Sequence, residues 1–179
     1  MNERTVELPL ALGALQKASP GKILEVGNVI SHYHNEVQHD IVDRYERGNP
    51  RILNIDARVF KPLFHYDMIL SLSTLEHVGW DESPRDPAKA WQTIRHLCSL
   101  LAPGGTFIFT VPAGYHPALD RSILDRAHVL GPLRALKRIS NGNEWEECSP
   151  EEAGRCKFGN PFPFANAIFF CSADQSFLH

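Results

Sequence analysis

No apolar run in this sequence approaches the ~20 residues that a membrane-spanning helix requires. A membrane protein is therefore not the expectation. Charge of one sign is also lacking: Lys and Arg number 18, Asp and Glu 21, for a formal net charge of -3. A weakly acidic chain has no general attraction to phosphate backbones or anionic lipid, which argues against a nucleic-acid or membrane partner. Cysteine is scarce, with Cys98, Cys148, Cys156 and Cys171 far apart and no CxxC pair. That excludes a disulfide framework and suits a reducing cytoplasm. Cys98 and Cys171 lie in apolar stretches and read as buried thiols. Cys148 and Cys156 lack zinc-ligand spacing, and His32 and His34 read as ordinary histidines, so no metal site is expected. The acidic opening segment Met1-Asn2-Glu3-Arg4-Thr5-Val6-Glu7 argues against a secretory leader.

What is present is ordinary globular material, 43% apolar and 22% charged over 179 residues. That length suits a single domain with a substantial core. Asn2 is placed to cap a helix through Val6, Leu10 and Leu15, flawed by Pro9 and broken at Ser19-Pro20-Gly21. Strands are predicted at 22–27, 39–43, 51–56, 66–73 and 106–112. A helix opened by Pro84 to Pro87 runs through Trp91, Ile94, Cys98 and Leu101. Asp120 is placed to cap a helix to about Leu130, and a short basic helix comes next, near Leu133 to Ile139. Two late strands, 145–148 and 165–171, read as a hairpin on one sheet edge. Alternating strands and crossovers predict a three-layer α/β sandwich, mostly parallel, ending in an antiparallel C-terminal strand.

The chemistry concentrates at strand ends. Glu25 lies two residues before Gly27, Asp43 closes the second strand and Asp56 the third. The carboxyl ends of parallel strands line a ligand crevice. A carboxylate at the second end suits ribose hydroxyls, and one at the third reaches toward an adenine amine. Beyond the fourth strand stand Glu76, His77 and Trp80, and beyond the fifth Tyr115 and His116. His77 and His116 are the candidate bases, a role to which histidine as a residue type is suited. Trp80 and Tyr115 read either as an aromatic substrate wall or as loop anchors. Glu3, Arg4 and Glu7 read as the solvated face of the first helix.

These motifs, in order, resemble the class I (Rossmann-like) S-adenosylmethionine-dependent methyltransferases. Ile23-Leu24-Glu25-Val26-Gly27 is similar to that family's first motif, Asp43 to its ribose acid and Asp56-Ala57 to its adenine-edge motif. The segment 66–78 resembles its fourth strand, with Leu75-Glu76-His77-Val78 matching the turn after that strand. Leu101-Ala102-Pro103-Gly104-Gly105 resembles the passage into its fifth. The resemblance implies S-adenosylmethionine as cofactor and S-adenosylhomocysteine as product. It implies cofactor contacts from Glu25, Gly27, Asn28, Ser31, Asp43, Asp56, Ala57, Leu72 and Ser73. It also gives the alternative that Arg4, with Ser31, meets the cofactor's amino-acid end. The reading that results is O-methylation of a small molecule or saccharide by a single domain over 1–179, divided into 1–20, 22–112 and 113–179.

The departure is the opening loop, where Gly27 precedes Asn28-Val29-Ile30-Ser31. The family's further glycines let the backbone approach the cofactor. Asn28 tolerates the left-handed conformation and is the expected stand-in. Asp43 comes only sixteen positions after Gly27, so the usual helix between them is short or lost. A second reading is therefore a scaffold protein that kept the sheet and lost catalysis. A dinucleotide-dependent oxidoreductase fits worst, because G-x-G-x-x-G is missing. No Asn-Pro-Pro-Tyr or Asp-Pro-Pro-Tyr stands after the fourth strand, which argues against the amine methylators that use it on adenine or glutamine. No Pro-Cys pair stands there either, against cytosine-carbon methylation. Phe162, Phe164 and Phe177 suit a homodimer contact if they are not core.

Overall fold

A computed structural model describes residues 2–17, 21–34 and 38–178. The expected break at Ser19-Pro20 lies outside the described residues. Asn2 caps the first helix as expected, its Oδ1 accepting from the Arg4 N–H at 3.2 Å. Helix α1 spans Arg4–Lys17 with Pro9 inside it. The strands are β1 Ile23–Val26, β2 Asp40–Val42, β3 Ile52–Leu53, β4 Tyr66–Leu72, β5 Leu101–Pro112, β6 Arg134–Arg138, β7 Trp145–Cys148 and β8 Ala167–Ala173. They form an eight-stranded sheet ordered β3-β2-β1-β4-β5-β8-β6-β7.

The pairing from β3 to β5 is parallel throughout. Strand β4 is buried at every position except Asp67, as a strand covered on both faces must be. One apolar layer joins Ile69, Phe107 and Phe109 to Ile94 and Leu97 of α2 (Lys89–Ser99) and to Ile123 of α3 (Pro117–Asp125). The other packs Met68, Leu70 and Leu72 under Ala11, Leu8 and Leu12 of α1. The first helix thus caps one face of the same strands whose ends form the site.

The C-terminal half differs from the sequence expectation. Leu133 to Ile139 is not a basic helix: it holds β6, paired antiparallel with β8 through Ala135↔Phe169 and with β7 through Ala135↔Cys148. Its Leu, Arg, Ala and Lys favour helix locally, but two-sided pairing outweighs propensity. The late hairpin is therefore β6–β7, while β8 inserts between β5 and β6 and runs against both. The sheet stays mostly parallel, because β6 returns to the direction of β5.

Helix α3 starts at Pro117, not after Asp120, and its cap is His116, whose Nδ1 accepts from the Leu119 N–H at 3.1 Å. Helix α2 starts at Lys89, later than the Pro84–Pro87 segment suggests, and stops before Leu101, which already pairs with Tyr66. Phe177 belongs to the core beside Trp91, whereas Phe164 is exposed.

Candidate functional site

The carboxyl ends of β1, β2 and β4, with the turn after β3, enclose a cleft of about 350 Å³. Its walls are largely apolar, from Val26, Val42, Ile55, Ala57 and Val78. Gly27, Asp43, Asp56, Thr74 and His77 bring polar groups to it.

Gly27 turns the chain at φ 83°, and its N–H donates to the Val42 carbonyl at 2.9 Å. A Cβ there would collide with the Thr74 side chain. Gly27→Ala should therefore lower stability by roughly 2 kcal/mol from the left-handed backbone alone, read as a shift of the urea midpoint. The rest of the loop does not use the expected device. Asn28 is absent from the positive-φ positions and does not stand in for a glycine. Its amide donates to Glu46 Oε1 at 2.8 Å, and its Oδ1 accepts from the Ser31 hydroxyl. Val29 and Ile30 are buried, and the chain continues into a single 3-10 turn at Ile30–His32. The loop is held by Glu25, fully buried behind it. Its Oε1 accepts from the Val29 and Ile30 N–H groups, both at 2.8 Å, and its Oε2 pairs with His39 Nε2 at 2.7 Å. Glu25 supports the loop and does not line the cleft.

Asp43 does line it. Its Oδ1 accepts from the Tyr45 and Glu46 N–H groups at 2.8 Å each, while its Oδ2 has only a long contact to the Asn28 N–H at 3.4 Å. Asp56 is tied down by residues that sequence reasoning misses. Its Oδ2 meets Lys89 Nζ at 2.6 Å and Arg44 Nη1 at 3.1 Å, and Lys89 also holds Glu82. Burial pushes the Asp56 carboxyl up, but the Lys89 hydrogen bond, the Arg58 N–H and the nearby cations outweigh it and hold the group below its ordinary value. Nothing in sequence spacing joins Arg44, Asp56, Glu82 and Lys89; only the packing of α2 against the β3 turn does.

On the other side of the cleft, His77 and His116 part company. His77 lines the cleft, with Nδ1 donating to Asp81 Oδ2 at 2.6 Å. Asp81 also accepts from the Tyr115 hydroxyl at 2.8 Å. Burial opposes it, yet the His77 and Tyr115 hydrogen bonds keep the Asp81 carboxyl low and ionised. His116 is fully buried, stacked on Trp80 at 4.5 Å, and its pKa is lowered chiefly by burial. With Nδ1 accepting as a helix cap, the ring is neutral and away from the cleft. Trp80 stacks on His116 and also has the Arg85 guanidinium 4.1 Å from its ring centroid, so it anchors this loop.

The charged face of α1 is not in solvent. Glu7 is fully buried and Glu3 nearly so. Glu7 Oε1 accepts from the Ser73 and Thr110 hydroxyls at 2.5 Å, and its Oε2 pairs with Arg4 at 2.7 Å. Arg4 also donates to the Leu72 carbonyl at 3.0 Å. Leu72 and Ser73 are thus fixed against α1 and stand outside the cleft lining. Of the expected cofactor residues, Gly27, Asp43, Asp56 and Ala57 share one cleft. Glu25, Asn28, Ser31, Leu72 and Ser73 form the frame behind it.

Among the described residues no helix is long and apolar enough to cross a membrane, and no three His, Cys, Asp or Glu side chains group to hold a metal ion. No protein-family model matches the chain, and no curated protein does. Solved structures do match. NodS, an N-methyltransferase from Bradyrhizobium japonicum WM9 in complex with S-adenosyl-L-homocysteine, is 13% identical with a TM-score of 0.59, over 95% of this chain and 85% of that one. The 1,6-didemethyltoxoflavin-N1-methyltransferase of Burkholderia thailandensis, with bound 1,6-didemethyltoxoflavin and S-adenosylhomocysteine, is 14% identical with a TM-score of 0.54, over 94% and 77%. A SAM-dependent methyltransferase from Thermotoga maritima is 12% identical with a TM-score of 0.50, over 92% and 87%. With its reversed β8 between β5 and β6, this chain has the Rossmann-like fold of class I S-adenosylmethionine-dependent methyltransferases.

Proposed function

We propose that this protein is an S-adenosylmethionine-dependent methyltransferase that acts on a hydroxyl of a small molecule or saccharide in the cytoplasm. The observation that carries the reading is the order around the cleft, with Gly27, Asp43, Asp56-Ala57 and Thr74 delivered by successive strand ends. The residues fit a nucleoside. Asp43 Oδ2 has lone pairs free for ribose hydroxyls, and Val26, Val42, Ile55 and Ala57 offer an apolar slot for a base. The methionine end would lie over Gly27, where Thr74 and His77 line the cleft. When bound, the cofactor supplies an electrophilic methyl group on a sulfonium. The chain's own part is to exclude water, orient the acceptor and take its proton. His77 is the side chain we assign to the last task, since it lines the cleft, Asp81 fixes its Nδ1–H, and the lone pair is left on Nε2, 3.5 Å from Glu76 Oε1.

A second reading, methylation of an amine, is favoured by the named activities of NodS and the Burkholderia enzyme. A neutral amine needs no base, so His77→Asn separates the two. It should lower kcat by about 100-fold on a hydroxyl acceptor and leave an amine acceptor nearly unaffected. The scaffold reading is tested by ligand binding. S-Adenosylhomocysteine at about a hundred times its Kd should add ~2.7 kcal/mol to stability. Asp43→Ala should remove most of that shift. A wild-type protein that shows no shift at millimolar ligand sinks the proposal, and an undiminished shift in the variant refutes the ribose role.

A further inference from the structure

Strand β6 ends on Arg138, whose side chain is buried, at 6% exposure. A buried guanidinium is unfavourable unless an anion stands beside it. Here its partners are neutral. Nε donates to the Ser140 carbonyl at 3.0 Å, Nη1 to Pro163 at 3.0 Å and Nη2 to Asn141 at 3.1 Å. Of the five donors a guanidinium carries, one on each terminal nitrogen is left over. The Phe162 ring lies 5.0 Å from its carbon and adds only a weak attraction.

Arg138 is among the residues that line another cavity, of about 360 Å³, whose other charged lining residues are Lys137, Arg155 and Lys157. No Asp or Glu lines it. Lys137 is balanced from outside by Glu146 and Glu152. Arg138, Arg155 and Lys157 form no ion pair with a carboxylate among the described residues. Three cations with no carboxylate partner among the described residues line one cavity in a chain whose formal net charge is -3. Asn166, also in the lining, is committed to the loop: its amide donates to the Lys157, Phe162 and Phe164 carbonyls.

We propose that this cavity is an anion site that takes a phosphate group, either the free ion or an ester on a small molecule. A dianion supplies the counter-charge that Arg138 lacks and accepts its two spare N–H groups, while Arg155 and Lys157 close over it. The same 155–166 segment sends Phe158 against Tyr115 at 5.0 Å and carries Cys156, whose carbonyl would lie 2.6 Å from a Cβ on Gly114.

The test is calorimetric titration with inorganic phosphate and, separately, glucose 6-phosphate, at constant ionic strength with chloride as the balancing salt. Saturable binding is expected, weakened about ten-fold or more in Arg155→Ala/Lys157→Ala, since each lost charge-assisted bond is worth about that factor. Both side chains are exposed, so the double variant should melt at the wild-type temperature without phosphate, which separates lost binding from lost folding. Tighter binding of the ester identifies an ester as the ligand; equal binding identifies the free ion. No saturable heat with either compound at tens of millimolar, or equal affinity in the double variant, overturns the proposal.

Discussion

Glu25→Ala should lower stability by about 3–5 kcal/mol and abolish nucleoside binding together with it. The carboxylate is fully buried and holds three groups at once: the Val29 N–H, the Ile30 N–H and His39. Truncation strands two backbone donors that have no water to turn to, at ~1–3 kcal/mol each. It also leaves His39, whose side chain is 7% exposed, without its partner. The loop that turns at Gly27 then loses the side-chain hydrogen bonds that β1 gives it among the described residues and keeps only apolar contact, as with Ile23. Glu25→Gln separates charge from shape. The amide oxygen can still accept both N–H groups, but its nitrogen now faces the His39 ring. Its cost should therefore be clearly smaller, and S-adenosylhomocysteine should still bind. The measurements are urea midpoints and ligand-induced shifts for both variants. Equal and small losses for the two would show that the loop stands without Glu25.

Glu25 also marks the boundary of what the residues disclose by themselves. An acid two positions before a glycine at a strand end is legible as part of a nucleotide loop, and the cleft does form there. Whether the acid faces ligand or loop depends on where the next N–H groups turn. In this chain Val29 and Ile30 are apolar enough to fold into the core beneath α1, and they bring their N–H groups back onto Glu25. Asp43 and Asp56 are legible because each comes after a short apolar strand. The ties of Asp56 to Arg44 and Lys89 are not, since they come from three separate elements. The same limit hides β6. Arg134-Ala135-Leu136-Lys137-Arg138 carries no strand period, and its conformation is set by β7 and β8 on either side. His116 looks like His77 in sequence, one histidine after each of two strands. Pro117 makes the difference, because it starts a helix and turns the His116 ring into its cap.

Arg4→Ala should cost about 3–5 kcal/mol near pH 8 and much less near pH 5, because it removes one partner of a buried ion pair. Arg4 is the only cation that meets Glu7 among the described residues, and Glu76 lies close enough to feel both charges. Burial pushes the Glu7 carboxyl above its ordinary value, and Arg4 is the chief force opposing it. Burial also drives Glu76 well up, Glu7 adds to that, and one Glu76 oxygen is buried with no hydrogen-bond partner. Proton counting sets the sign. Both carboxyls titrate higher in the folded state than in the unfolded chain, where they sit near the ordinary 4.5. Above that pH the folded form holds more protons than the unfolded one, so stability falls as pH rises through the folded values. Without Arg4 the Glu7 value climbs further, and the decline should become steeper and reach higher pH. Glu76→Gln should act in the opposite direction, flattening the decline and recovering part of the Arg4→Ala loss at alkaline pH, since it removes a like charge next to Glu7. Urea midpoints of the two single variants and the double variant across this range check the argument. An Arg4→Ala loss that is the same at every pH would mean that Glu7 does not titrate in the folded protein's working range, and that the arginine acts by packing and its bond to the Leu72 carbonyl alone.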